Sequence, residues 1–363
     1  MEFKFIDLFA GVGGFHIAMK SVGGRCVFAS EIDKYARLTY EANYKDDEPS
    51  LFLKGSNGEY LYFNDDITKV DTEDVPAFDV CCGGFPCQPF SNAGLKKGFE
   101  DTRGTLFFSI SNLIKAKAES GTPPKVLFLE NVKGLRGHDG GNTLKVILAT
   151  LEELGYAYAY DIVNARYFGV PQNRERLFIV AWHKDIIKAD GFVFPYGVDV
   201  NGNTIYNKEK AKTEAAPTQL ADILHDAPGM LPISDRLWEG FQKRKERNVK
   251  NGKGFGHQKY NREAKFVGAL TASYCKNGKE CLIDQTEKGL NPRMLSPEEA
   301  GRLQGYNIIS DGWVPGKANT DSPFKLVVSK TQAYKQFGNS VAVPVVKRIA
   351  EEIVKQLLNK KNN

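Results

Sequence analysis

A single cysteine between two prolines has the residue type and the setting of a nucleophile. Residues 83–91 read Gly-Gly-Phe-Pro-Cys-Gln-Pro-Phe-Ser, directly after an apolar run, Phe78–Cys82, that predicts a buried strand. A thiol just past a strand's carboxyl end lies where open α/β sheets bind their ligands. Pro86 and Pro89 stiffen the turn because each fixes its own φ. Free cysteines are more often small buried hydrophobes. Polar and small residues surround Cys87, however, so we interpret it as a nucleophile.

A glycine-rich turn near the start of the chain predicts a cofactor site. An apolar run, residues 3–9, precedes Gly-Val-Gly-Gly at 11–14, and a second apolar run at 26–30 ends in Glu31. Strand, glycine-rich turn, helix and strand with a terminal acid are the start of a nucleotide-binding α/β unit, whose carboxylate accepts hydrogen bonds from ribose hydroxyls. A dehydrogenase would carry a third glycine where this chain has His16. A tight turn without a ligand is the alternative, and we favour the cofactor site.

Two further carboxyl groups could belong to this site. Glu130 follows a predicted buried strand, residues 125–129, and therefore shares a sheet edge with Cys87. Burial can keep such a carboxyl group neutral, so that it donates a hydrogen bond. A surface acid is the alternative, and the shared edge favours function. Asp66 could accept a hydrogen bond from an adenine amino group or cap a short helix. The sequence leaves these two interpretations balanced.

Two arginines alternate in the segment Gln172-Asn173-Arg174-Glu175-Arg176. On an extended chain, Arg174 and Arg176 point to opposite faces. One of them could orient a catalytic carboxylate or bind a carbonyl oxygen through its paired donors, while the other is structural. The segment alone does not decide which arginine has which role.

The composition is that of a water-soluble globular chain. Its 363 residues are 42% hydrophobic and 26% charged, enough for two domains. The six cysteines form no CxxC pair and no zinc-type cluster with histidine, so we expect no metal site and a reducing compartment. Long apolar runs are absent, which argues against secretion and membrane insertion. We therefore expect a cytoplasmic protein.

A basic segment in the second half of the chain points to nucleic acid. Between residues 236 and 279 there are twelve lysines and arginines against three glutamates, in a chain whose net charge is +5. Aromatic residues and glycine-rich loops are interleaved with these charges. Such a segment suits a phosphate backbone. A solvated helix face over 235–248 is the alternative, and the one-sided surplus favours nucleic acid.

Taken together, these motifs resemble those of the bacterial-type DNA (cytosine-5) methyltransferase family, and the match covers nearly the whole chain in the family's motif order. Six motifs in order are far more specific than any one of them. They are Asp7-Leu8-Phe9-Ala10-Gly11-Val12-Gly13-Gly14-Phe15, Pro86-Cys87-Gln88, Glu130-Asn131-Val132, Gln172-x-Arg174-x-Arg176, Arg293 to Gly305, and Gln336-Phe337-Gly338-Asn339-Ser340-Val341.

The resemblance implies an α/β fold with a doubly wound, mostly parallel, Rossmann-like sheet that binds S-adenosylmethionine. The catalytic and cofactor-binding domain would span 1–190 and be completed by 331–363. A smaller, irregular, β-rich target-recognition domain would span 191–330. Cys87, Glu130 and Arg174 would carry the chemistry, supported by Gln172 and Arg176. The cofactor pocket would be lined by Phe9, Gly11, Gly13, Glu31, Ile32, Asp66, Ile67, Pro86, Leu106, Asn339 and Val341.

The same resemblance implies a mechanism and a partner. Cys87 would add to carbon-6 of a cytosine that has been flipped out of double-stranded DNA, while Glu130 and Arg174 hold the ring. The segment from Gln88 to about Arg103 would close over it as a lid. The enzyme would be a monomer that needs no stable protein partner. It would form the modification half of a restriction-modification system, whose endonuclease acts on the same site.

Three other functions compete with this one. A nicotinamide dehydrogenase shares the glycine-rich turn and Glu31 but leaves Cys87, Glu130 and the basic segment unexplained. A transfer-RNA methyltransferase of the same family is closer, although the long region from about 190 to 292 is ample for reading duplex DNA. A DNA-binding module without activity is disfavoured because Cys87, Glu130 and Arg174 are all present.

Overall fold

A computed structural model describes residues 2–86, 106–225, 230–253, 256–309 and 323–359. The chain forms two compact units. The first contains Met1–Val163, Glu175–Tyr196 and Val345–Asn363, and the second contains Asn164–Arg174 and Gly197–Pro344. Relative to the predicted domains, residues 164–174 and 331–344 belong to the second unit and 191–196 to the first.

The described strands and helices follow the predicted alternation in the first half of the chain. The strands are β1 Phe3–Leu8, β2 Gly24–Ser30, β3 Phe63–Asn64, β4 Val80–Gly84, β5 Val126–Val132, β6 Tyr156–Asn164, β7 Gln172–Asn173, β8 Glu175–His183, β9 Gly197–Val198, β10 Thr204–Ile205, β11 Lys259–Tyr260, β12 Val267–Gly268, β13 Leu282–Ile283 and β14 Arg293–Met294. The α-helices are α1 Gly14–Ser21, α2 Lys34–Tyr44, α3 Leu106–Glu119, α4 Asn142–Glu153, α5 Lys208–Glu214, α6 Asp235–Lys250, α7 Tyr274–Asn277, α8 Pro297–Leu303, α9 Lys330–Asn339 and α10 Val343–Ile353.

A mostly parallel sheet organises the first unit. Its strand order is β3-β2-β1-β4-β5-β8-β6, with β3, β2, β1, β4 and β5 mutually parallel and β8 antiparallel to β5. The order reverses between β1 and β4, so the ligand crevice of such a sheet is expected outside the carboxyl ends of these two strands. The turn after β1 and the cysteine motif after β4 both follow that point.

Helices cover both faces of this sheet, which confirms the predicted doubly wound α/β fold. On β5, Leu127 and Leu129 are fully buried in an apolar cluster with side chains of α3 and α4. Phe128 lies between them and points the other way, where its ring centroid is 5.0 Å from that of Phe15 on α1. Each leucine buried in this way stabilises the fold by about 1.5–3 kcal/mol.

The second unit is irregular and its strands are short. The strands β7 and β9 to β14 have two residues each. They form a β9–β10 pair, a three-stranded group β11-β13-β14, and a β7–β12 pair. The helix α6, with 16 residues, is the longest helix described in this unit. Within the described residues of the whole chain, no helix is long and apolar enough to cross a membrane.

Candidate active site

The register of the first sheet brings four of the predicted site segments to one edge. Leu8 at the end of β1 pairs with Ser30 on β2 and with Gly83 on β4. Gly84 pairs in turn with Glu130 on β5. The glycine-rich turn, Glu31, the segment leading to Cys87, and Glu130 therefore leave the sheet side by side.

The turn after β1 has a left-handed backbone at three positions. Phe9, Gly11 and Gly13 have φ of 54°, 56° and 83°. This left-handed conformation is strained for an aromatic residue, at a cost of about 1–3 kcal/mol. A side chain at Gly11 would meet no atom of the described residues within 4 Å, so this part of the chain leaves the space above the turn open. At Gly13, by contrast, a Cβ would lie 2.3 Å from the Tyr44 ring, so only glycine fits.

Glu31 is fixed by two backbone donors. The N–H of Gly11 donates to Oε2 at 2.7 Å and the N–H of Asp33 donates to Oε1 at 2.7 Å. Burial raises the pKa of Glu31, and these two hydrogen bonds act in the opposite direction. Each carboxylate oxygen keeps a second lone pair. Ribose hydroxyls could donate to those lone pairs.

The remaining predicted cofactor residues differ in exposure and in partners. Ile32 is 74% exposed although it is a large apolar residue, and Ile67 is buried. Asp66 caps a short 3-10 turn, because Oδ1 accepts from the N–H and the hydroxyl of Thr68. The capping role is therefore present, and the adenine contact stays a prediction. Pro86 is exposed and Leu106 half-buried. In the second unit, Asn339 is exposed and Val341 buried.

Glu130 and Arg176 form a largely buried ion pair in the first unit. Arg176 Nε lies 3.1 Å from Glu130 Oε1. Glu130 is opposite Phe178 across the antiparallel strands, so Arg176, two residues from Phe178, is its diagonal neighbour on the same face. A Cβ on Gly84 would be 3.2 Å from Glu130 Oε2, so glycine leaves room for the carboxylate. Burial lowers the pKa of Arg176, and Glu130 counteracts this effect.

Asn131 ties the end of β5 to the segment that leads to the cysteine. Its Nδ2 donates to the carbonyl oxygen of Phe85 at 2.7 Å, and the residue is buried. Cys87 and the lid predicted between Gln88 and Arg103 lie outside the described residues. Asn131 therefore fixes the last described part of the cysteine motif.

Arg174 and Gln172 bind backbone atoms of the second unit. Arg174 Nη1 donates to the carbonyl of Leu270 at 2.8 Å, and Nη2 donates to those of Ser340 at 2.5 Å and Gly338 at 3.3 Å. Gln172 accepts from the N–H of Leu270 and donates to the carbonyl of Leu303. Both side chains are buried. Because of these contacts, residues 164–174 belong to the second unit.

The two arginines therefore do point to different surroundings, as their alternation predicts. Arg176 contacts the carboxylate of Glu130, and Arg174 binds carbonyl groups elsewhere. The sequence alone predicts no role for Gly84 or Tyr44, and it indicates Asn131 only as part of a motif. For Asn131 the signal was its place directly after Glu130 at a strand end. For Tyr44, which donates to the carbonyls of Val12 and Gly13, the sequence carries no such signal.

Comparison with known proteins agrees with this geometry. Residues 3–355 match the family model described as C-5 cytosine-specific DNA methylase. The chain is 44% identical to the Type II methyltransferase M.SsoII of Shigella sonnei over 98% of this chain and 81% of the relative. It is also 44% identical to the Type II methyltransferase M.NlaX of Neisseria lactamica, over 97% of this chain and 96% of the relative.

Solved structures show the same fold. The Dnmt2 methyltransferase of S. pombe matches with a TM-score of 0.65 at 16% identity, covering 98% of this chain and 99% of that one. The methyltransferase EhMeth of Entamoeba histolytica also matches with a TM-score of 0.65 at 16% identity, with 98% of each chain covered. The motif order, the sheet and these matches agree, and the chain belongs to the C-5 cytosine-specific DNA methylase family.

Proposed function

We propose that this DNA (cytosine-5-)-methyltransferase uses Cys87 as its nucleophile. Glu130, which Arg176 holds in place, binds the ring of a cytosine that is flipped out of duplex DNA. The observation that carries the proposal is the Glu130–Arg176 ion pair at the carboxyl end of β5. It stands beside the strand whose continuation is Cys87. The Type II methyltransferases that are 44% identical support DNA as the substrate.

The chemistry requires a nucleophile because carbon-5 of cytosine is too electron-poor to accept a methyl group directly. Addition of the Cys87 thiolate to carbon-6 forms an Sγ–carbon bond and shifts the ring electrons to carbon-5. Bound S-adenosylmethionine would supply the methyl group as an electrophilic sulfonium, its sulfur–methyl bond breaking as the methyl–carbon-5 bond forms and a neutral thioether leaves. Loss of the carbon-5 proton and cleavage of the Sγ–carbon-6 bond then restore the aromatic ring and free the thiolate.

In its protonated form, Glu130 would donate a hydrogen bond to ring nitrogen-3 and accept one from the exocyclic amine, which stabilises the negative charge that develops during the addition. Arg176 keeps the carboxylate in place through its 3.1 Å contact. Both Nη atoms of Arg174 donate to backbone carbonyls of the second unit. We therefore assign Arg174, together with Gln172, a structural role, and Arg176 the role beside the substrate that the family resemblance gave to Arg174.

The turn after β1 fits S-adenosylmethionine, which methyltransferases use. The open space at Gly11 lets the cofactor approach the backbone, Glu31 can accept from its ribose, and exposed Ile32 offers an apolar surface to its adenine. Within the first unit, the proposed pocket comprises Phe9, Gly11, Gly13, Glu31, Ile32, Asp66, Ile67, Pro86 and Leu106, whereas the roles of Asn339 and Val341 in the second unit stay predictions from the family resemblance.

Attack on carbon-6 must come from above the ring, which a stacked duplex does not allow. The cytosine is therefore flipped out of the duplex. The names of the relatives support a role as the modification half of a restriction-modification system, with an endonuclease acting on the same site as its partner. The monomeric state and the cytoplasmic location stay predictions.

The test is transfer of a labelled methyl group from S-adenosylmethionine to duplex DNA by three proteins. They are the wild type, Cys87→Ala, and the control Cys275→Ser, which changes a partly exposed cysteine of the second unit. We expect label at cytosine carbon-5 with the wild type and the control, and none with Cys87→Ala.

Two results would contradict the proposal in different ways. If transfer RNA were labelled and duplex DNA were not, the proposed substrate would be wrong and the proposed reaction mechanism would be retained. Equal labelling by Cys87→Ala and the wild type would exclude Cys87 as the nucleophile.

A further inference from the structure

The helix α6 of the second unit packs against neighbouring residues along one side only. It begins after Ser234, whose hydroxyl accepts from the N–H of Leu237, and Phe241 is its one buried residue. Phe241 packs with Ile233 and Leu282, and the ring of His257 stacks on it at a centroid distance of 5.9 Å. The rest of the helix is largely exposed to solvent.

Four cations line the side of α6 that faces away from Phe241. With about 100° between successive residues of an α-helix, they fall within an arc of about 60°. The centre of this arc is about 150° from Phe241. The four side chains are all exposed, and they span about 21 Å of helix at 1.5 Å per residue. They are Arg236, Lys243, Arg247 and Lys250, here called the cationic stripe.

The acidic residues of α6 do not interrupt the cationic stripe. Asp235, Glu239 and Glu246 lie along one edge of it, and Glu239 pairs with Lys243 at 3.5 Å. Such an exposed pair is weak and screened by salt. The four cations thus form a continuous positive face. An evenly solvated helix would show mixed charges on that face.

A glycine lies along the other edge of the cationic stripe, about 20° from Arg247, and nothing in the described part of the chain requires it. Gly240 is in the interior of α6, where glycine is the poorest helix former after proline. Its φ is not positive, and a Cβ at this position would meet no atom within 4 Å. Packing and backbone conformation therefore leave its identity unexplained. A ligand that comes close to the helix backbone would explain it.

We propose that the cationic stripe binds the sugar-phosphate backbone of duplex DNA, with Gly240 giving one strand room to approach the helix. The inference rests on the proposed function and adds to it a sequence-independent contact surface. Duplex DNA carries one charge per about 1.7 Å of its axis, so a stripe of this length can reach several phosphates. Such contacts position the protein on the duplex without selecting the sequence.

The test is the salt dependence of equilibrium binding to a duplex, measured without cofactor. Lys243→Gln/Arg247→Gln removes two charges from the cationic stripe and keeps residues that favour a helix. The matched control, Lys245→Gln/Lys288→Gln, removes two charges elsewhere in the same unit. Lys245 is on the side of α6 near Gly256, and Lys288 ends a short 3-10 turn.

We expect the slope of log affinity against log salt to fall by about 2 for the stripe variant, since each lost phosphate contact removes about 0.9. The control should keep the wild-type slope. Equal slopes for the stripe variant and the wild type would overturn the inference. Because binding is measured without methyl transfer, that result is independent of the labelling test of the proposed function.

The variant Gly240→Leu tests whether the DNA backbone comes close to α6 at Gly240, without changing any charge. Leucine favours a helix and meets open space here, so the midpoint of thermal unfolding should not fall. We expect DNA affinity to fall at least tenfold because the side chain keeps the phosphates away from the helix. Unchanged affinity would exclude a close approach at Gly240.

Discussion

The two units hold their polar side chains in place by different means. In the first unit, a backbone ladder of buried strands carries Glu31 and Glu130 at its edge. In the second unit the strands are two residues long, and buried side chains join the segments. Arg174 binds three carbonyls, and Arg293 forms two hydrogen bonds with fully buried Glu299.

This difference shows that a buried arginine has a different role in each of the two units. Where a sheet already fixes the backbone, a buried ion pair such as Glu130–Arg176 is available for chemistry. Where regular structure is sparse, a buried arginine replaces the missing backbone hydrogen bonds. Substitution of Glu130 or Arg176 should therefore mainly reduce the reaction rate, and substitution of Arg174 should mainly reduce stability.

The largest effect is expected for Glu130→Gln, which keeps the shape of the side chain and removes its charge. We expect kcat to fall by about 100- to 1000-fold, as for the loss of one group that stabilises a transition state. The free energy of unfolding should fall by no more than about 3 kcal/mol, since the amide keeps an oxygen acceptor for Arg176. Steady-state methyl transfer and denaturant unfolding measure the two quantities. Glu175→Gln, which changes an exposed partner of Lys133, is the control and should have the wild-type kcat.

Arg174→Ala tests the other side of the comparison. The substitution leaves the carbonyls of Leu270, Gly338 and Ser340 without this donor, so we expect a loss of about 2–4 kcal/mol in the free energy of unfolding. Urea unfolding measures it, with Arg176→Ala as the matched arginine of the first unit. Arg176→Ala should lose rate instead. If Arg174→Ala kept its stability and lost only kcat, Arg174 would be the catalytic arginine after all.

Gly84→Ala sharpens the geometry of the first unit by adding one methyl group. Its Cβ would lie 3.2 Å from Glu130 Oε2, so the carboxylate must shift by a few tenths of an ångström. We expect about a tenfold loss of kcat, corresponding to 1.4 kcal/mol, with little change in unfolding. Gly134→Ala, where a Cβ meets no atom within 4 Å, serves as the control. A wild-type kcat for Gly84→Ala would show that the position of this carboxylate is not critical.

Asp7→Asn addresses the stability of the first sheet. Asp7 is fully buried on β1, and burial, followed by the charge of Glu31, raises its pKa well above the usual value. Because the folded pKa is raised, the stabilising contribution is present below the unfolded pKa of about 4 and lost as pH rises toward the folded pKa. As pH rises through this window, the free energy of unfolding of the variant should therefore increase relative to that of the wild type by up to about 1.4 kcal/mol per pH unit.

Urea unfolding at a series of pH values measures this difference. The control is Asp47→Asn, an exposed acid paired with Lys20, which should follow the wild type. A constant difference between Asp7→Asn and the wild type across the window would mean that Asp7 has the same pKa in the folded and unfolded chains.

Much of the first unit could be predicted because its strands are apolar on both faces and end in glycines or acids. The runs before Gly11, Glu31, Gly83 and Glu130 became β1, β2, β4 and β5. The second unit offered fewer signals, since strands of two residues produce no periodic pattern. Helix α6 was recognisable by its charge, but the side of it that packs depends on the contact of Phe241 with Leu282, which is distant in sequence.

The sequence by itself determined the family, the order of its motifs, and the fact that Arg174 and Arg176 face opposite ways. Only the tertiary structure decided which arginine meets Glu130. That outcome depends on β8 lying antiparallel beside β5 in a register that makes Arg176 the diagonal neighbour of Glu130. The alternation of side chains along a strand is a local property of the backbone. The neighbour of each face depends on strand order and register. Both are determined by contacts between residues that are far apart in the sequence.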